Sequence, residues 1–329
     1  MKNTDPKEIL VKDMEFDDEL EEDKKEKLIA LIMQYEDTCM YNNKKLKTIN
    51  IVKHKIYLKK EAQPKAQKAY RESEGTKKII KEEIDKMLKA KIIRESRSSY
   101  PSPVVIVGKK DGTKRFCVDY RKLNKKTKTD AYPLPRMDNL LEKFRISRWF
   151  TTMDLASGYW QIEMEEEDKE LTAFVCSQGL YEFNVMPFGL TNAPPTFQRA
   201  MNKIFKEYID EFMNIYIGDV VIYSKTFEEH LQHIEKVLKK LREVRMMIKM
   251  KKCTWAKRNV EYLGHIVGNE GLKPSPRLIE KVKKMKVPRN RKDIKSFTIL
   301  CSYYRKFIRN FSRIAKPMTE LLKKNREFI

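Results

Sequence analysis

The chain has 329 residues, 41% of them hydrophobic, and a formal net charge of +23. That length and composition fit a folded core and exclude a disordered chain, and no apolar run approaches the roughly 18 residues of a membrane span. The charge is uneven: residues 1–40 carry 6 Lys/Arg against 13 Asp/Glu, and the rest carries 64 against 34. A basic body of this kind suits a polyanion, nucleic acid above all, unless it only reflects a general excess of lysine. No basic-then-apolar leader opens the chain, and five scattered cysteines never form CxxC. Both features point to an intracellular chain in cytoplasm or nucleus, with no membrane partner.

In chain order, Asp17–Asp23 is strongly acidic and precedes a short helix near Lys27–Tyr35; residues 1–44 read as a solvated acidic lead-in. Ile79, Ile80, Ile84, Met87 and Leu88 recur at helical spacing over Thr76–Ala90. Ser99–Pro103 then breaks the helix, and Val104–Val107 and Arg115–Tyr120 flank a hairpin turn. Trp149–Leu155 and Gln161–Met164 are further strands, and Asn214–Ile217 and Val220–Tyr223 enclose a tight turn at Gly218-Asp219. The last third reads as helical. Phe227–Ile248 has an apolar face, Ser275-Pro276 is a helix start, and Ile294, Phe297, Leu300, Tyr304, Phe307 and Phe311 line another face. Arg305, Arg309, Arg313 and Lys316 make a basic stripe beside it. Strands mixed with helices, then a helical end, predict an α+β fold.

Two carboxylates stand out. Asp154 ends the apolar run Phe150–Met153, and Asp219 sits at a hairpin tip. A lone buried charge is costly, so acids placed there are not packing residues. If the strands are neighbours, the carboxylates converge and can hold a hard divalent ion such as Mg²⁺ for phosphoryl transfer. The plainer reading is that Gly218-Asp219 is merely a good turn dipeptide. His230, His233, Cys253 and His265 can be drawn as a zinc site, although their spacing fits no ordinary zinc pattern.

The surrounding runs decide between these. They are Ser102-Pro103-Val104-Val105, Lys109-Lys110-Asp111-Gly112, Arg115–Asn124, Tyr132-Pro133-Leu134-Pro135, Met153–Ile162, Val185–Pro194, Tyr216-Ile217-Gly218-Asp219, Tyr262-Leu263-Gly264-His265 and Tyr303–Ile308. In this order they resemble the gypsy-class LTR retrotransposon reverse transcriptases, the polymerase region of a Pol polyprotein. The resemblance implies a right-hand polymerase whose palm is an antiparallel sheet backed by helices. Its fingers would be 45–128 and 162–192, its palm 129–161 and 193–268, and its thumb and start of the connection 269–329. It also implies RNA-directed DNA polymerisation on an RNA or DNA template with a primer, dNTP substrates, and Mg²⁺ or Mn²⁺. Asp154, the Leu155 carbonyl and Asp219 would bind metal. Lys109, Arg115, Ser157, Gly158, Tyr159, Phe188 and Gly189 would bind the nucleotide, with Tyr159 as the steric gate. Leu263, Gly264 and His265 would grip the primer, and Arg305 and Arg309 would follow the duplex. Oligomeric state is not implied.

Two residues depart from the family pattern. The hairpin there reads Tyr-x-Asp-Asp, and Gly218 replaces the first aspartate; Asp210 lies before the strand and offers no substitute. Ile299 stands where the thumb helix carries Gly. The copy is therefore expected to be an impaired polymerase or, alternatively, a catalytically inactive nucleic-acid-binding remnant or domesticated copy. A basic scaffold for acidic proteins is a third reading. No Asp-Ser/Thr-Gly protease triplet occurs, and a ribonuclease H domain would begin near Phe328, as in a fragment of a larger polyprotein.

Overall fold

The computed structural model describes residues 6–41, 46–60, 62, 65–108, 112, 114–133, 143–268 and 271–323. At its centre is a five-stranded sheet ordered Glu15–Phe16, Thr254–Lys257, Trp149–Asp154, Asp219–Ser224, Met213–Tyr216. All neighbours are antiparallel except the edge strand Glu15–Phe16, which runs parallel to Thr254–Lys257.

Side-chain alternation gives this sheet two buried faces. Trp149, Met153, Val220 and Ile222 join a large core with helices Ala193–Ile204 and Phe227–Glu243. Phe150, Val221 and Tyr223 point the other way, onto Phe144, Val260, Tyr262 and Val267. The three-stranded sheet Asn259–Tyr262, His265–Gly268, Gly271–Pro274 closes that second face. Burial on both sides is why these strands read as continuous apolar runs rather than alternating ones.

A second five-stranded sheet is ordered Ile93–Glu95, Gly179–Phe183, Phe174–Cys176, Ser102–Gly108, Lys114–Val118. Helix Glu74–Lys89 lies beside it, burying Ile80, Ile84 and Met87. Among the described residues no helix is long and apolar enough to cross a membrane.

Several expectations change. The acidic N-terminal stretch is not a solvated lead-in: Leu10, Leu28, Ile32 and Cys39 are fully buried, and Glu15–Phe16 completes the central sheet. Its acids serve as partners for basic residues: Glu15 pairs with Lys257, and Asp17 accepts from the Arg258 amide. A first helix, Pro6–Lys12, precedes the expected one, which spans Glu22–Gln34 and begins early because Glu22 and Asp23 favour a helix N-terminus. The predicted Phe227–Ile248 helix stops at Glu243, since Arg245 turns left-handed (φ 60°). Its start is fixed by a reciprocal cap between Thr226 and Glu229.

Ser275 precedes helix Pro276–Lys283 as expected, but its hydroxyl donates to Glu261 at 2.8 Å instead of capping. The last apolar face is split. Helix Arg291–Tyr303 and helix Phe311–Glu320 are separated by a 3₁₀ turn at Arg305–Phe307 and by left-handed Asn310. Arg305 and Arg309 therefore share no helix with Arg313 and Lys316. The three-stranded sheet also runs through residue 268, where palm was expected to give way to thumb.

Candidate active site

Asp154 and Asp219 are direct cross-strand partners at one end of the central sheet. Opposed residues of antiparallel strands share a face, with Cβ atoms roughly 5 Å apart. The two carboxylates thus stand side by side, on the face that carries Tyr262. Burial raises the carboxyl pKa of Asp219, the charge of Asp154 raises it further, and Lys252 partly offsets both. Lys252 Nζ lies 2.9 Å from Asp154 Oδ2.

The Asp219 turn is built by its neighbours. Ile217 (φ 46°) and Gly218 (φ 97°) are both left-handed, the conformation of a two-residue hairpin turn whose twist matches its strands. Buried Gln198 holds the turn from the adjacent helix: its Oε1 accepts from the Ile217 amide at 2.9 Å, and its Nε2 donates to the Ile215 carbonyl at 3.2 Å. A Cβ on Gly218 would meet nothing nearer than Phe197 at 3.7 Å, so space does not demand glycine there.

Around the acids lies a cleft of about 510 Å³ that brings together Arg115, Leu155, Ser157, Gly158, Tyr159, Phe188, Phe197, Lys249 and Lys252. The Tyr159 ring sits 5.1 Å from Phe188 and 5.5 Å from Phe197, and the Arg115 guanidinium lies 5.2 Å over Phe188. Gly158 is required by packing, because a Cβ there would come within 2.8 Å of Phe197. The Gly158 amide already donates to the Leu155 carbonyl at 3.1 Å, which leaves that oxygen one free lone pair and takes the amide out of reach of a ligand. Gly189 is left-handed, with its carbonyl held by Asn124 at 2.8 Å, behind Phe188. Lys109 lies outside the described residues.

A second hollow of about 340 Å³ continues from Asp154 and Asp219 to Leu263, Gly264 and Arg277. The turn there is fastened to the helical end: Tyr303 donates to the Leu263 carbonyl at 2.6 Å, and Tyr304 to the Gly264 carbonyl at 2.9 Å. His265 is buried among Tyr303, Tyr304 and Phe307. Ile299, one turn before Tyr303 on the same helix, is 62% exposed. Arg305 and Arg309 are exposed beyond that helix and take no part in either hollow.

The four residues of the zinc reading do not converge. His230 bonds Thr151 and Ser224, His233 stacks on Phe212 at 3.9 Å, and Cys253 donates to the Lys249 carbonyl. Asp210 lies at the far end of the Asp219 hairpin, where its amide donates to the Met213 carbonyl.

For a divalent ion, the donor set is two carboxylates and one carbonyl. Among the described residues no third His, Cys, Asp or Glu joins them. Gly218 adds no carboxylate to this set, and the two acids stand close enough for the charge of Asp154, after burial, to raise the Asp219 carboxyl pKa.

Sequence reasoning missed Lys249, Lys252, Gln161 and Gln198 as site-building residues. The lysines sit in a Lys-rich run that has no distinguishing pattern. Gln161 did carry a signal, as a neutral amide between Trp160 and Ile162 that must find partners if buried; Gln198, next to Arg199, carried none.

Residues 107–267 match the family of reverse transcriptases, RNA-dependent DNA polymerases. Over 93% of its length the chain is 38% identical to a retrovirus-related Pol polyprotein from transposon 297 of Drosophila melanogaster, covering 29% of it. It is 40% identical over 79% of its length to the Pol polyprotein of transposon gypsy from the same species, covering 26% of that protein. The Tf2-3 transposon polyprotein of Schizosaccharomyces pombe is 38% identical over 76% of the chain, which covers 19% of it. The chain thus spans less than a third of the length of these relatives.

Among solved structures, a foamy viral protease-reverse transcriptase in complex with double-stranded DNA superposes with a TM-score of 0.86 at 25% identity, over 97% of this chain and 55% of that one. The same viral enzyme with an RNA/DNA hybrid gives 0.83 at 24% identity, over 98% and 43%. The fold is that of an α+β right-hand polymerase with fingers, palm and thumb. With its paired aspartates at a hairpin tip and its likeness to Pol polyproteins along nearly all its length, the chain belongs to the reverse transcriptase family of gypsy-class LTR retrotransposons.

Proposed function

We propose that this chain is the polymerase region of a retrotransposon reverse transcriptase, extending a primer on RNA or DNA by nucleotidyl transfer from dNTPs, at a rate limited by Gly218. The observation that carries the reading is the register of Asp154 against Asp219 at the mouth of a basic cleft. Fingers are assigned to 45–128 and 162–192, palm to 129–161 and 193–274, carried past 268 because the sheet continues to Pro274, and thumb to the helices from Pro276 onward, with residues 6–41 as an added edge of the palm.

Asp154 and Asp219, with the Leu155 carbonyl, would hold Mg²⁺ or Mn²⁺. When bound, the ion polarises the reacting phosphate and stabilises charge on the oxygens in flight. The chain's own residues position the rest. Arg115 neutralises phosphate at one wall, with its guanidinium seated over Phe188. Tyr159, wedged between Phe188 and Phe197, presents a fixed ring to the sugar; this is how it would exclude a 2′-hydroxyl. The amide of Ser157, at a left-handed turn, is free to face phosphate where that of Gly158 is not. Phe188 would form the floor, with Gly189 supporting it from behind. The Leu263-Gly264 turn, tied to the thumb by Tyr303 and Tyr304, would steer the primer end, with buried His265 bracing it from behind. Arg305 and Arg309 would contact the duplex backbone.

Extension of oligo(dT) on poly(rA) with Mg²⁺ or Mn²⁺ tests this, with Asp154→Ala as the blank. Incorporation above the blank supports the reading, and revival by Gly218→Asp supports it even if the natural chain is silent. Silence in both overturns it.

A second reading is favoured by Gly218 together with the Lys252–Asp154 ion pair: a non-catalytic binder of primer–template that keeps the basic cleft without a complete ion site. It predicts salt-sensitive duplex binding without synthesis.

A further inference from the structure

The segment after helix Phe227–Glu243 brings two lysines to the aspartates. Lys249 precedes and Lys252 ends a 3₁₀ turn, Met250–Lys252, whose Met250 is fully buried. Residues three apart eclipse in such a turn, so the two ammonium groups share a side; both line the cleft. Lys251, between them, points away and pairs with Asp13 at 3.5 Å.

The segment is fastened on two sides. Met247 exchanges hydrogen bonds with fully buried Gln161, and its carbonyl also accepts from the Ala156 amide at 2.9 Å. Ile248 and Lys249 pair in parallel with Cys39 and Met40. The backbone that carries the two lysines is therefore held in place before any ligand arrives. With Gly218 at the hairpin tip, the cleft sets, among the described residues, Arg115, Lys249 and Lys252 against Asp154 and Asp219.

A site with three aspartates needs divalent ions before it admits a polyanion, because carboxylates and phosphates repel. This cleft has already shed one of those charges, and Arg115, Lys249 and Lys252 outnumber its two described carboxylates. We propose that it binds the triphosphate group of a nucleotide without a divalent cation, with Lys249 and Lys252 supplying the positive charge. The inference rests on reading the cleft as a nucleotide site. It goes beyond that reading by naming two lysines as determinants of metal-independent binding.

Calorimetric titration of the full chain with dTTP and with inorganic tripolyphosphate, in EDTA and then in Mg²⁺, tests it. The expected dTTP affinity changes by less than about threefold between the two conditions, and Lys249→Ala and Lys252→Gln each weaken binding in EDTA by about tenfold. Both lysines are exposed, so neither change threatens the fold. Gly218→Asp should weaken binding in EDTA and make it Mg²⁺-dependent. Tighter binding of dTTP than of tripolyphosphate assigns the site to nucleotides; equal binding narrows it to the polyphosphate alone and overturns the nucleotide assignment.

Equal weakening by Lys251→Ala would reduce the effect to bulk positive charge and sink the proposal, as would binding that appears only with Mg²⁺. In that last case a Gly218→Asp chain that polymerises leaves the polymerase reading intact. No triphosphate binding under any condition removes both.

Discussion

Gln161 and Met247 hold each other by two hydrogen bonds, the Met247 amide donating to Oε1 at 2.8 Å and Nε2 donating to the Met247 carbonyl at 2.9 Å. The same Nε2 also donates to the Ala156 carbonyl at 2.8 Å. One buried amide thereby ties the Asp154 strand's exit to the segment carrying Lys249 and Lys252. Gln161→Leu keeps the volume and orphans the Met247 amide inside the core. It should cost about 1–3 kcal/mol in urea unfolding and weaken triphosphate binding although no lysine has changed. Binding unchanged at equal occupancy of the folded state would refute this positioning role.

Gly218→Asp is expected to fold. The nearest atom to the new Cβ is 3.7 Å away, and aspartate tolerates the left-handed region better than most residues. The strain should lower stability by about 1 kcal/mol. Primer extension should rise by at least about tenfold, the scale on which a lost metal ligand is felt. A gain in stability with no gain in synthesis would contradict both halves.

Asp219 carries a testable pH dependence. Its pKa is raised in the folded chain by burial and by Asp154, so its contribution to stability is fully present below the ordinary aspartate value of 3.8 and is lost as pH rises through the folded value. Asp219→Asn has no such loss. It should melt at a higher temperature than the natural chain at pH 7, with the gap closing as pH falls below 3.8. Mg²⁺ should narrow the gap at pH 7 by stabilising only the natural chain. Parallel melting curves at all pH values would be incompatible with the site as built.

The helix Glu22–Gln34 is part of the core. Leu28→Ala should cost about 2–5 kcal/mol, as for other fully buried leucines. Removal of residues 1–41 should leave the rest aggregation-prone, because it uncovers the edge strand Thr254–Lys257. A well-folded truncated chain, judged by a cooperative melt, would restore the idea of a solvated lead-in.

Ile299→Gly tests the thumb departure. At 62% exposure the side chain contributes little burial, so the stability loss should stay near the ~1 kcal/mol of an exposed helix glycine. If Ile299 obstructs the duplex, primer–template affinity should increase; weaker or equal affinity would show that it does not.

The sequence by itself determined much of this protein. Its ordered motifs identified the fold and family, and the apolar runs ending at Asp154 and Asp219 marked the two strands, because strands buried on both faces are written as continuous hydrophobic residues. Gly218 was equally legible, since a missing carboxylate is a fact of composition. What the tertiary structure alone decided was which distant residues share the cleft. Lys252 lies 98 positions from Asp154 and reads like any other lysine of a basic chain; only the parallel pairing of Ile248 with Cys39 and the Gln161 clamp bring it to 2.9 Å. The acidic N-terminus misled for the same reason. Local charge predicts solvation, but three of its acids find fixed basic or amide partners on the segment 251–258, and its apolar residues find a core that no local window contains.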